Sequence, residues 1–105
     1  MSRIPVSTEI FEQANLLKVT VGTNCPNGGD SGHGGRTLFR LTNEGSTDIS
    51  VRVEGGELQS VDSVEIVLRG DTECETFIQA LEYAVSVLRA QTIAKEHTSD
   101  YENIE

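Results

Sequence analysis

At 105 residues the chain has the length of one domain, so residues 1–105 are expected to form a single unit. Seventeen acidic side chains against eight basic ones give a net charge of −9. That excludes duplex DNA or RNA as a general partner, because binding needs a field that attracts phosphate backbones. No run approaches the ~18 apolar residues of a membrane-spanning helix. No secretory apolar stretch precedes Cys25 or Cys74, so the chain reads as a cytoplasmic protein with free thiols.

Residues 1–14 are ambiguous, and Ser7 to Ala14 fits a short helix only weakly. Leu16 to Val21 alternates, with Leu17, Val19 and Val21 on one face and Lys18 and Thr20 on the other, the pattern of a half-buried strand. Thr37 to Thr42 forms a second strand, and Asn43-Glu44-Gly45-Ser46 a turn. Asp48 to Glu54 alternates again, with Ile49, Val51 and Val53 inward. Gly55-Gly56 signals a two-residue hairpin, because glycine reaches the positive φ that such turns need. Glu57 to Val61 returns as a short strand, and Ser63 to Arg69 alternates with Val64, Ile66 and Leu68 inward.

The period then changes. Thr72 and Glu75 have the spacing of a capping box. Asp71, Glu73 and Glu75 favour a helix N-terminus through the dipole. Cys74, Phe77, Ile78, Leu81, Ala84, Val85 and Leu88 recur at helical spacing, so a helix is expected to about Gln91. Residues 97–105 are polar and acidic and are expected to fray. The order predicts an α+β fold, a small antiparallel sheet with a long C-terminal helix packed on one face.

The segment 22–36, GTNCPNGGDSGHGGR, holds six of the ten glycines: Gly22, Gly28, Gly29, Gly32, Gly34 and Gly35. Hairpin loops need about two to five residues, and longer connections in small domains usually serve function. Glycine lets main-chain N–H groups approach an anion closely. The stretch is locally positive: between Leu16 and Leu41 the only carboxylate is Asp30, against Lys18, Arg36 and Arg40. This points to a loop around a phosphate-bearing small molecule. Arg36 contacts phosphate, the Gly34 and Gly35 amides support it, and His33 and Phe77 border the base or ribose. Asn24, Asp30 and Arg40 complete the candidate ligand-binding set.

Lys18, Arg40, Arg52 and Arg69 fall on strand positions opposite the apolar set. They are either solvated cations paired with Glu54 and Glu65, a second wall for an anionic ligand, or a surface for self-association. Catalytic equipment is sparse. Cys25, Asp30 and His33 lack a second metal-ligating pair, since Cys74 and His97 stand alone. Ser31 in Gly29-Asp30-Ser31-Gly32 has no strand–elbow–helix context. Cys25 precedes Pro26 in the loop with nothing else to support a nucleophile, and Cys74 lies on the apolar stripe of the helix. No metal, cofactor or enzymatic activity is expected.

The stretches GGDSGHGGRT (residues 28–37) and DTECETFIQALEYAVSVL (residues 71–88) resemble the phage-encoded Thoeris anti-defence sponges. The resemblance implies an oligomeric protein that holds cyclic nucleotide-like immune signals, such as cyclised ADP-ribose isomers, without cleaving them in the host cytosol. It implies arginines for the phosphates and an aromatic for adenine, and the residues here of those types are Arg36 and Phe77. Cyclic oligonucleotides are the related ligand class. The rival readings are a phosphodiesterase or lyase that uses His33 or Cys25 on such signals, and an acidic protein that inhibits a host enzyme by direct binding.

Overall fold

The computed structural model describes residues 3–27, 34–94, 102 and 104. The chain divides into two compact units, Met1–Cys74 and Glu75–Glu105. The elements establish the α+β class: a four-stranded antiparallel sheet, a two-stranded sheet and one C-terminal helix.

The larger sheet contains β1 (Val6–Glu12), β2 (Leu16–Thr23), β3 (Arg36–Gly45) and β6 (Ser63–Arg69), in that spatial order. β4 (Ile49–Val51) and β5 (Gln59–Val61) pair only with each other. They form a separate hairpin between β3 and β6, so β3 pairs with a strand far along the chain.

Four expectations need correction. The N-terminal segment is strand, not helix: Val6 to Glu12 pairs along its whole length with β2, and every residue of it is exposed. A strand with one free edge gains ladder hydrogen bonds that a weakly amphipathic helix would have to replace by packing. The strand expected at 48–54 shrinks to Ile49–Val51, leaving Arg52 off the sheet and Val53 72% exposed. Gly55 does take positive φ, but Glu54 joins it, and the connection spans residues 52–58 rather than two residues. β3 runs through the expected turn to Gly45, and the positive φ falls at Ser46. Asn43 Oδ1 accepts the N–H groups of Gly45 and Thr47 at 2.9 and 3.1 Å, which turns the chain after the strand instead of within it.

Residues directly opposite in the register share a face. One face collects Leu17, Val19 and Val21 from β2, Phe39 and Leu41 from β3, and Val64, Ile66 and Leu68 from β6. The other collects Lys18, Thr20, Leu38, Arg40, Glu65 and Val67, with Arg36 and Arg69 at its end. Hydroxyl pairs tie neighbouring strands: Thr8 to Thr20 at 3.2 Å, Thr23 to Thr37 at 3.0 Å and Thr42 to Ser63 at 3.3 Å. The buried hydrophobic side chain among the described residues is Leu38, on the charged face, whereas Val21 and Ile66 on the apolar face are exposed.

In the helical region, α1 (Asp71–Arg89) is followed by a π-helical turn, Ala90–Ala94. The helix begins one residue before the expected cap, and the Thr72 hydroxyl donates to Glu73 Oε1 at 3.0 Å. Gly70 precedes it at φ 134°, a conformation that admits glycine, and its missing Cβ leaves room for the Glu73 carboxylate. Of the expected apolar stripe, Cys74, Phe77 and Leu81 are half-buried, and Ile78, Ala84, Val85 and Leu88 are exposed. The hydroxyls of Ser86 and Thr92 donate to the carbonyls of Tyr83 and Leu88.

Candidate functional site

The glycine-rich connection leaves β2 at Thr23 and enters β3 at Arg36, so Gly22 belongs to the strand. Its missing Cβ lets the Pro5 carbonyl approach the strand. Asn24 closes the base of the connection. Its Oδ1 accepts the Arg36 N–H at 2.7 Å, its N–H donates to the Arg36 carbonyl at 3.2 Å, and its Nδ2 donates to the Arg3 carbonyl at 3.2 Å. Both polar atoms of this side chain thus bond backbone, and Asn24 fixes the position of Arg36 at the base of the connection.

Behind Arg36 lies a polar cluster. The Thr23 hydroxyl donates to the Arg36 carbonyl at 2.9 Å and accepts the Cys25 N–H at 3.1 Å. The Cys25 thiol donates to the Gly70 carbonyl at 3.5 Å and lies 3.9 Å from the Thr37 hydroxyl. Asp71 Oδ1 accepts the Asn27 N–H at 3.2 Å, and Asn27 Nδ2 donates to the Gly34 carbonyl at 3.3 Å. Gly35 is buried, and the Asp71 carboxylate and Cys25 sulfur fill the space a Cβ would take. Its carbonyl accepts the Gly70 N–H at 2.8 Å. Gly35 thus serves the close packing of β3 on the segment that starts α1.

Strand alternation sends the Thr37 side chain to one face and Arg36 to the other. On the Arg36 face, the register places Arg36 directly opposite Arg69. Arg36 Nη1 donates to the Gly35 carbonyl at 2.8 Å, which holds the guanidinium beside the loop exit. Arg40 and Lys18, on the same face, are in ion pairs. Arg40 donates to Glu65 Oε1 from Nε at 2.8 Å and from Nη2 at 2.7 Å, across the same two strands. Lys18 pairs with Glu44 at 3.4 Å. Among the described residues Arg69 makes no salt bridge, and it is exposed. Like charges directly opposite on adjacent strands repel. A half-buried Arg36 in register with an exposed Arg69 sets two planar donor forks side by side, a geometry that suits a multiply charged anion through charge-assisted hydrogen bonds.

The structure brings together Asn24, Gly34, Gly35 and Arg36, and places Arg40 on the same face but in an ion pair. Phe77 lies in the helical unit, where it is half-buried. Asp30 and His33 fall outside the described residues, as do Gly28, Gly29, Ser31 and Gly32 of the loop and His97 of the tail. Among the described residues no three His, Cys, Asp or Glu side chains group as metal ligands, and no helix is long and apolar enough to cross a membrane. Arg69 was absent from the expected ligand-binding set. Its alternation with Leu68 placed it on the polar face, but only the β3–β6 register reveals that it stands opposite Arg36.

Comparison with protein-family models, curated proteins and solved structures finds no match for this chain.

Proposed function

We propose that this chain is a binding protein that captures a small phosphate-bearing ligand and returns it unchanged. The observation that carries the reading is the register of Arg36 opposite Arg69 at the exit of the glycine-rich connection. Each guanidinium offers a planar donor fork, and hydrogen bonds to charged groups contribute about 1.5–3 kcal/mol apiece. Asn24 fixes the Arg36 backbone, and the Gly35 carbonyl fixes its side chain. The resemblance of residues 28–37 and 71–88 to Thoeris anti-defence sponges narrows the ligand to a cyclic nucleotide-like signal, held in the host cytosol. The same resemblance supports self-association, as do the exposed Val6, Ile10, Phe11, Ile66 and Val67 of the sheet.

The test is capture and release. The protein is mixed with cyclic ADP-ribose isomers and cyclic oligonucleotides, stripped of free ligand, heated, and the supernatant analysed by mass spectrometry. An intact ligand recovered from the wild type and lost from Arg36→Glu and Arg69→Glu is the expected outcome. A cleaved product would assign a phosphodiesterase or lyase instead. Retention of a host enzyme with no small molecule would assign a protein inhibitor.

A further inference from the structure

The segment ahead of β1 lines a cavity that the arginine pair does not use. Arg3, Ile4 and Pro5 border a space of about 590 Å³, inside the range of small-molecule sites, about 300–1,000 Å³. Arg3 and Pro5 are exposed and Ile4 is half-buried. Among the described residues Arg3 makes no salt bridge.

Two contacts fix where this segment lies. The Pro5 carbonyl packs where a Cβ of Gly22 would stand, so the chain runs tight against β2 before β1 begins. Asn24 then holds it at Arg3: Nδ2 donates to the Arg3 carbonyl at 3.2 Å, while Oδ1 accepts the Arg36 N–H at 2.7 Å. One side-chain amide therefore sets the wall of the cavity beside the phosphate-binding arginine. The Arg3 carbonyl and the Arg36 nitrogen lie within about 8 Å of each other, the span of those two bonds and the amide between them. Arg69 stands opposite Arg36, about 4.8 Å further on at the spacing of neighbouring strands. The two ends differ in chemistry. Arg36 and Arg69 present charge to oxygen. The cavity wall presents one planar guanidinium beside a branched aliphatic side chain and a proline ring. A guanidinium stacks on the face of a flat ring, and apolar carbon covers what the stack leaves. A phosphate makes no use of such a wall, and a nucleobase does.

We propose that Arg3, Ile4 and Pro5 form the base-binding end of the site, so that the ligand is a nucleotide whose phosphates rest on Arg36 and Arg69 and whose base enters the cavity against the Arg3 guanidinium. This rests on the arginine-pair reading and adds the class of group that the phosphate carries. It gives the base a place in the same compact unit as the arginines, whereas Phe77 belongs to the helical unit.

Calorimetric titration of the full chain with two probes separates the ends. Pyrophosphate offers only what the arginine pair binds, and ADP carries the same diphosphate on a nucleoside. The wild type is expected to bind ADP at least about tenfold more tightly than pyrophosphate. Arg3→Lys keeps the charge and loses the planar face, so it should bring the ratio of the two affinities to within about threefold of one. Ile4→Ala should lower that ratio about threefold, with circular dichroism to check the fold. Arg69→Ala should weaken both probes and keep the ratio within about twofold of the wild type. A wild type that binds both probes alike, or a preference for ADP that Arg3→Lys does not change, overturns the base end and leaves the arginine pair standing. A wild type that binds neither probe overturns the pair, and the base end with it.

Discussion

Two positions of one strand pair, four residues apart on one face, have opposite electrostatic outcomes. At Arg40–Glu65 the β3–β6 register sets a cation against a carboxylate and both are satisfied within the chain. At Arg36–Arg69 the same register sets cation against cation. Leu38, the buried hydrophobic of the described residues, lies between them opposite Val67. The first pair is ordinary sheet chemistry, worth a few tenths to one kcal/mol at an exposed site. The second sets two donor forks side by side at the exit of the glycine-rich connection, where Arg36 is held by the Gly35 carbonyl and Arg69 is exposed.

The contrast breaks most visibly in binding. Arg36→Glu turns the like-charge pair into a copy of the Arg40–Glu65 pair, so it should abolish ligand capture, a loss of roughly 100-fold or more in affinity, which is about 2.7 kcal/mol. The same variant exchanges the Arg36 hydrogen bond to the Gly35 carbonyl for an ion pair with Arg69, so its stability without ligand should stay within about 1 kcal/mol of the wild type in urea unfolding. Binding is then lost without the fold. A variant that loses both would mean Arg36 is simply needed to fold.

Leu38→Ala probes the packing that separates the two pairs and should cost about 2–3 kcal/mol, read by the same unfolding experiment. Gly35→Ala should cost about 1–3 kcal/mol, because its Cβ would displace the Asp71 carboxylate and the Cys25 sulfur. Arg40→Ala should be mild, less than about 1 kcal/mol in stability and under threefold in ligand affinity, since its guanidinium is already engaged by Glu65. The smallest effect is on the free protein: at equal ionic strength, pyrophosphate should raise the melting temperature more than chloride, and the difference should vanish in Arg69→Ala.

The parts of the fold that could be read from sequence are those with a clean period. Leu16 to Val21, Thr37 to Thr42, Ser63 to Arg69 and the helix from residue 71 each show either a face that is apolar at successive alternate positions or a 3.6-residue stripe, and all formed as expected within a few residues. β1 was hidden because Ile10 and Phe11 are adjacent, so neither face of Val6–Glu12 is consistently apolar. The β4–β5 hairpin was misjudged because Val51 and Val53 alternate without a sheet to receive the second of them, and Val53 is exposed.

The site was half legible. The loop composition singled out Arg36, and alternation put Arg69 and Arg40 on one polar face. The pairing of Arg36 with Arg69 depends on β3 skipping the intervening hairpin to join β6, a non-local choice that no local pattern encodes. The roles of Asn24 and Gly35 also escaped: both types of residue suit a ligand loop, but their partners here are the backbone of Arg36 and the side chains of Asp71 and Cys25.

Calorimetric titration of the ligand recovered by capture into wild type and Arg69→Ala, side by side, bears most directly on the arginine pair. Removing the guanidinium opposite Arg36 should weaken affinity at least tenfold, with the fold intact by circular dichroism. An affinity unchanged by that removal would mean that the two arginines do not act together on an anion.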